Sequence, residues 1–182
     1  MANKVLHGYC ATSLCSCMNV DALNRCGVYA EGALDNGVLV TLEKMVQDSA
    51  YKATGFEYEV APATVSSENV WAVVTPEVGT TLEMQDHADP RLFYNEAGRP
   101  MSIKKLVPEV DEIEVTKECF TDATLPTNTN KWIAIGEGGK LTASASQPMS
   151  KGGYFELVAL HSVAIGWEKV PTAIIRYREY KA

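Results

Sequence analysis

The sequence predicts a mainly β protein, built as a single β-barrel or β-sandwich domain with few short helices and an irregular N-terminal extension. Short runs of β-branched and aromatic residues recur along the 182-residue chain, and Gly, Pro or Asn separates them. No segment carries a helical apolar period long enough for a crossover helix between parallel strands. The eight prolines are spread through the chain, and each limits the regular element in which it lies.

Seven to nine short strands are predicted beyond residue 30. Residues 56–60 alternate apolar with acidic side chains, which is the period of a half-exposed strand. Residues 70–74 are continuously apolar and stop at a proline, which favours a strand buried on both faces. Turns are predicted at Asn36-Gly37 and at residues 136–139. The remaining predicted strands are residues 38–42, 113–115, 131–135, 141–144, 154–160 and 172–177. Residues 42–47 and 101–106 are each expected to form a turn or two of helix.

The first thirty residues differ from the rest and predict a Cys-rich, irregular N-terminal arm (1–30) before a β-rich globular domain (31–182). They show no sustained apolar period, although residues 20–27 could form short helical turns with Asn19 or Asp21 as the cap and Gly27 as the stop. Their composition motivates the hypothesis that the arm becomes ordered only in an assembly.

Charge and hydropathy restrict the classes of partner. The net charge of −7 and the pI near 5.0 argue against binding nucleic acid, which requires clustered Lys and Arg. No apolar run reaches the roughly 18 residues that span a bilayer, and no secretory signal is visible at the N-terminus. We therefore expect no nucleic-acid or membrane partner, and folding in a reducing cytoplasm with free thiols.

Four of the five cysteines provide the sharpest candidate metal site, and they are Cys10, Cys15, Cys17 and Cys26. Structural zinc sites usually present ligand pairs two to four residues apart, whereas the spacing here is C-x4-C-x-C-x8-C. The favoured interpretation is that these side chains act as small hydrophobes, and a disulfide formed after release from the cell is a minor alternative. No metal and no cofactor is predicted.

No catalytic residue is predicted either, because the sequence contains no nucleophile elbow, P-loop or H-E-x-x-H motif. His161 lies in an apolar run and is expected to be a hydrogen-bonded core residue. His87 lies between Asp86 and Asp89 in what is expected to be a solvated loop rather than a calcium site. The acidic stretch of residues 109–118 is interpreted as one wet face of a strand with its flanks. The chain is therefore not expected to be an enzyme.

Three segments, taken in order, carry a resemblance to a protein family. Residues 32–42 (GALDNGVLVTL), 68–77 (ENVWAVVTPE) and 93–100 (FYNEAGRP) resemble consecutive motifs of small structural proteins encoded in the head gene clusters of tailed bacteriophages. The likeness covers about residues 30–180 in outline and is dense only in these motifs. The cysteine-rich first thirty residues depart from the family pattern.

The resemblance implies a head decoration or head-fibre base protein on the capsid surface of a virion, made in the host cytoplasm. Its expected partners are the major capsid protein and copies of itself, in a homo-oligomer, and no catalysis or cofactor is implied. The alternative is a carbohydrate- or receptor-binding β module, to which Trp132, Tyr154 and Trp167 could contribute a stacking surface. Because all three lie beside apolar runs, we expect them to be core residues instead. A small enzyme using one of the cysteines is the third and least favoured hypothesis.

Overall fold

Eleven strands form two sheets in the computed structural model, which describes residues 5–16, 20–46, 56–77, 89–149, 152–165 and 167–180. The strands are β1 (Cys10–Ala11), β2 (Asn24–Val28), β3 (Leu39–Met45), β4 (Glu57–Pro62), β5 (Trp71–Val73), β6 (Pro100–Lys105), β7 (Glu112–Thr116), β8 (Trp132–Ile135), β9 (Leu141–Ser144), β10 (Gly152–Ile165) and β11 (Glu168–Tyr180). Across the described ranges, the helical elements are four 3-10 turns of three residues each: Asp21–Leu23, Pro90–Leu92, Lys117–Cys119 and Glu137–Gly139. The predicted mainly β class with few short helices is confirmed.

Five strands close into a small barrel in the order β2-β4-β3-β5-β6, with β6 returning to pair with β2. The β2–β4 pair is parallel and the other pairs are antiparallel. Val40, Val60, Trp71 and Ile103 belong to the apolar cluster formed by the barrel strands. Gly27 faces this cluster, since an added Cβ there would lie 3.0 Å from Val60. Close packing therefore leaves no room for a side chain at this point of β2.

The second sheet has the order β1-β7-β11-β10-β8-β9 and packs one face on the outside of the barrel. The shared core joins Leu39 and Ala72 of the barrel to Ile113, Phe155 and Ile175 of the sheet. Strand β5 is buried along its whole length because Trp71 and Val73 join the barrel cluster while Ala72 joins the core shared with the sheet. The predicted doubly buried strand at residues 70–74 is confirmed, and its continuous apolar run has a physical reason.

The longest elements are β10 and β11, which form one antiparallel hairpin from Gly152–Tyr180 to Ile165–Glu168, with a bulge between Leu157 and Ala159. Strand β8 pairs with β10 only at residues 154–156, and β7 pairs with β11 only at residues 172–176. Both strands are longer than predicted. Residues 162–171 therefore form a two-stranded extension of the sheet, and residues 158–161 form the open β10 edge next to it. We call residues 158–171 together the distal ribbon.

Two helical predictions are wrong. Residues 101–106 lie mostly in strand β6, where Met101 and Ile103 are buried and Ser102 and Lys104 are not. This alternation has the strand period, and the demand for a closing strand between β2 and β5 overrides local helix propensity. Residues 42–45 continue strand β3 for the same reason, because β3 must reach Tyr58 of β4.

The first thirty residues contain two strands, so the structure corrects part of the description of this region as irregular. Cys10–Ala11 adds an edge strand to β7, and Asn24–Val28 completes the barrel. Only residues 21–23 of the expected helical turns form a 3-10 turn, and Asn19 lies outside the described residues. The capping residues and Gly27 favour short helical turns, but residues 24–28 pair with β4 and β6 instead, because the barrel cannot close without β2. The division into a 1–30 arm and a 31–182 domain stays a prediction.

Candidate functional site

The three motifs behind the family resemblance meet at one buried side chain, Asn36. Its amide nitrogen donates to the Thr75 carbonyl at 2.9 Å, and its side-chain oxygen accepts from the Thr75 N–H at 3.0 Å. The Asn95 amide donates to the same oxygen at 3.2 Å and to the Leu34 carbonyl at 3.0 Å. Asn36, Thr75 and Asn95 come from the first, second and third motif respectively. The Asn36 amide also donates to the Glu77 carboxylate at 3.3 Å, so the cluster joins three loops through hydrogen bonds.

The distal ribbon is the most exposed apolar feature of the sheet. Residues 158–161 of β10 are all exposed, although alternate residues of a strand point to opposite faces. Neither face of this stretch is therefore covered. Val158 is 45% exposed, Leu160 is 54% exposed, and Trp167 at the hairpin tip is fully exposed. Large apolar side chains in this arrangement are typical of a surface that contacts another molecule.

Two polar contacts fix the position of the distal ribbon. At its tip, the Glu168 carboxylate lies 2.7 Å from the Arg91 guanidinium, which also binds Asp89 at 2.8 Å. At its base, the Glu114 carboxylate accepts from the Thr172 hydroxyl at 2.6 Å and lies 2.8 Å from the His161 ring. These bonds order the backbone before any partner arrives, and preorganisation lowers the entropic cost of binding.

A second apolar surface is the groove on the barrel between β2, β4 and β6. It has a volume of about 720 Å³ and is lined by residues 24–26, 45, 56, 58 and 100–102. Phe56 and Met45 expose large parts of their side chains there, and Arg25 supplies a positive charge. The volume lies in the range of small-molecule sites, but apolar lining alone does not identify a ligand.

The predicted cysteine candidates belong to different parts of the fold. Cys10 and Cys15 are buried beside β7, where the Cys15 thiol donates to the Glu112 carbonyl at 3.1 Å. Cys26 lies in barrel strand β2 and lines the groove. Cys17 lies outside the described residues. Within the described ranges, no group of three His, Cys, Asp or Glu side chains is placed to hold a metal ion.

Cys26 is predicted to be the first of the four described cysteines to react with an alkylating reagent. Burial, together with the nearby Glu57 carboxylate, raises the pKa of its thiol, so it reacts more slowly than in the unfolded chain. The thiols of Cys10, Cys15 and Cys119 are buried, so the reagent reaches them only when the surrounding structure opens locally. We therefore expect them to react at least about a hundredfold more slowly than Cys26. Iodoacetamide pulses at pH 8 followed by peptide mapping test this order. Equal labelling of Cys119 and Cys26 would contradict it.

The fifth cysteine, Cys119, is fully buried at the junction of the sheet and the barrel, where its thiol contacts the Tyr9 and Asn36 carbonyls. Burial, with smaller contributions from the Asp35 and Glu118 carboxylates, raises the pKa of this thiol from 9.0 to about 12. No sequence pattern pointed to this position, because Cys119 lies far along the chain from the other four cysteines.

This pKa predicts a loss of stability in alkali. The raised pKa contributes stability that is fully present below pH 9 and is lost as the pH rises toward 12, because the unfolded chain releases the proton first. The free energy of unfolding should fall by about 1 kcal/mol between pH 9 and pH 10 from this group alone. Urea unfolding of the wild type and of Cys119→Ala at both pH values isolates the contribution. If the two proteins lose equal stability, the thiol is not responsible.

The acidic stretch of residues 109–118 is not simply a wet strand face. Asp111 is buried and accepts from the Val107 N–H at 2.6 Å and from the Ser16 N–H at 2.7 Å. Glu112 binds Arg176 at 2.6 Å, and Glu114 binds the ribbon as described above. The predicted wet face was wrong for these three residues, because β11 supplies partners for Glu112 and Glu114 while backbone groups of two loops bind Asp111.

The aromatic and histidine candidates differ in their exposure to solvent. Tyr154 is buried as expected, and its ring packs 5.9 Å from that of Trp132, which is half-buried. Trp167 is not a core residue, since it occupies the hairpin tip. His161 was expected to be a hydrogen-bonded core residue. Its side chain is bonded to Glu114, as expected, but it is exposed rather than buried in the core. His87 and Asp86 lie outside the described residues.

Comparison of the chain with protein-family models, with curated proteins and with solved structures found no match in any of the three. None of the helices in the described ranges has the length and apolar character needed to span a bilayer.

Proposed function

We propose that this chain is a structural protein of a tailed-phage virion, a head decoration or head-fibre base protein on the capsid surface. It stabilises the shell or presents an outer surface through contacts with the major capsid protein and with copies of itself. It acts by contact rather than by catalysis, without a cofactor, and neither nucleic acid nor a membrane is among its partners.

The observation that carries this proposal is the distal ribbon with its exposed apolar side chains. Aromatic side chains that lose all contact with water on binding are enriched among the residues that dominate interface energies. Trp167 is fully exposed on a backbone held by the Arg91–Glu168 ion pair, so it offers such a side chain at low ordering cost. The resemblance of three segments, in order, to motifs of phage head proteins supports the assignment to a phage. Their meeting at Asn36 is compatible with a fold shared with those proteins.

The test is the composition of purified particles. Quantitative mass spectrometry of phage particles from a lysate in which the chain is produced should find it in a fixed ratio to the major capsid protein. Imaging of the same particles should place the barrel and the sheet outside the shell. Absence from purified particles would overturn the proposal.

Trp167→Ser should lower incorporation into particles by about tenfold, because removing a central aromatic anchor costs an interface at least about 1.4 kcal/mol. The side chain is fully exposed, so the free energy of unfolding should change by no more than about 0.5 kcal/mol. Met149→Ser removes another strongly exposed apolar side chain elsewhere and serves as the matched control. Equal incorporation of the two variants would show that the tip is not the shell contact.

A carbohydrate- or receptor-binding module remains the second candidate, favoured by the exposed Trp167 and by the groove that Phe56 and Tyr58 line. Aromatic faces stack on sugar rings, and the groove has the volume of a small-ligand site. A glycan array with hits that Phe56→Ser abolishes, together with absence from particles, would favour this candidate.

A further inference from the structure

The outer edge of β10 in the distal ribbon has an unusual composition. Residues 157–165 contain no Asp, Glu, Lys, Arg or Pro, in a chain with 21% charged residues and a net charge of −7. Soluble proteins normally protect exposed strand edges with charged residues, prolines or bulges, because unpaired backbone groups there add further strands. Apart from the bulge near Val158, these protections are missing from this edge.

The two edges of the ribbon are treated differently. On β11, the ribbon segment carries Glu168, Lys169 and Pro171, and β7 covers the edge from Thr172 onward. On β10, no strand in the described ranges pairs beyond Glu156, apart from the bond from the Leu157 N–H to the Lys131 carbonyl. Protection of one edge and not of the other indicates that the β10 edge is kept available for a partner strand.

We propose that a second copy of this chain is that partner, and that the two β10 strands pair antiparallel about a two-fold axis within residues 158–164. An isologous contact of this kind requires a surface that complements itself. Two copies of a chain with a charge of −7 repel each other, so a stable contact must avoid like charges at the axis. The β10 edge meets this condition, since residues 157–165 contain no Asp, Glu, Lys or Arg and the nearby Glu114 carboxylate is bonded within its own copy to Thr172 and His161.

The pairing joins the two six-stranded sheets into one continuous sheet. Each copy supplies backbone donors and acceptors to the other, as in strand addition to a sheet edge. Side chains on adjacent paired strands approach within contact distance, so Val158 and Leu160 of one copy each contact side chains of β10 in the other copy. Both lose exposed apolar surface that the single chain leaves in water.

This inference deepens the proposed function and rests on it for its role, which is to link copies on the shell, while Trp167 remains free for the capsid. The experiment is sedimentation velocity of the full chain over a concentration series. We expect a reversible dimer for the wild type. Leu160→Lys should weaken dimerisation by about tenfold or more, because it removes the apolar contact and sets like charges near the axis.

Val110→Lys is the matched control, since Val110 is 58% exposed against 54% for Leu160 and the charge change is the same. It should leave dimerisation unchanged, as should Trp167→Ser. Circular dichroism and thermal melting confirm that each variant is folded, and Leu160→Ser repeats the test without added charge. Hydrogen exchange of the amides in residues 158–164 should slow as the concentration rises.

A monomer at every concentration would overturn the pairing, as would a dimer that Leu160→Lys does not weaken or that leaves these amides unprotected. A chain that is monomeric in solution but stoichiometric in particles would overturn the pairing while the proposed capsid role stands. A dimer protected at β10 but absent from particles would support the pairing and overturn the capsid role.

Discussion

Gly139→Ala is expected to destabilise the protein by about 4 kcal/mol, the largest single effect that the structure predicts. Gly139 lies in the β8–β9 turn with a φ of +74°, and an added Cβ would lie 2.2 Å from the Leu39 carbonyl oxygen. The obstruction is backbone of barrel strand β3, which cannot rotate away as a side chain could. The substitution would force the sheet and the barrel apart at their junction.

Gly138→Ala is the control for this prediction. Its φ of +64° imposes a similar left-handed strain, but no atom lies within 4 Å of the position that a Cβ would take. It should therefore cost only about 1 kcal/mol. Urea unfolding of the two variants separates close contact from backbone strain. Equal losses would mean that the turn does not press against β3.

The sequence predicts the strands well where local pattern and tertiary role agree. The β8–β9 hairpin follows from two apolar runs around a glycine-rich turn, and both faces of β5 are buried as its continuous apolar run indicates. It fails at β2 and β6, because each is a strand only through its neighbours in the closed barrel. Barrel closure is a non-local demand, and the alternation in β6 spans only residues 101–104, which is too short to distinguish a strand from a turn of helix.

The candidate site is predicted less well than the fold. Burial of Trp167 was expected because the residue lies beside an apolar run, yet that run belongs to a hairpin that extends past the body. Gly166-Trp167 between two β-branched segments matches the Gly-X pattern of a two-residue hairpin turn, and this signal could have placed Trp167 at a tip. Exposure of the β10 edge depends on where the antiparallel strand β8 begins, at Trp132 opposite Glu156, which no local pattern encodes.

The three segments that carry the sequence resemblance have a structural role in this fold that the sequence alone does not show. Each segment, taken alone, could be interpreted as part of a binding surface. In the fold, however, Asn36, Thr75 and Asn95 from the three segments form hydrogen bonds with one another. Asn36 is 1% exposed, and a buried amide requires partners for its donors and its acceptor. The motifs therefore specify how three loops join, while the exposed ribbon lies outside all of them.

Asn36→Ala should consequently destabilise the fold by about 3 kcal/mol, since it removes the partner of both Thr75 backbone groups and one of the two hydrogen bonds of the Asn95 amide. Asn128→Ala, at an exposed loop position, should change the free energy of unfolding by no more than about 0.5 kcal/mol. A double-mutant cycle with Asn95→Ala should give a coupling energy of about 1 kcal/mol, because the two amides share a hydrogen bond. Additive losses in that cycle would separate the first motif from the third and remove the structural reason for their joint occurrence.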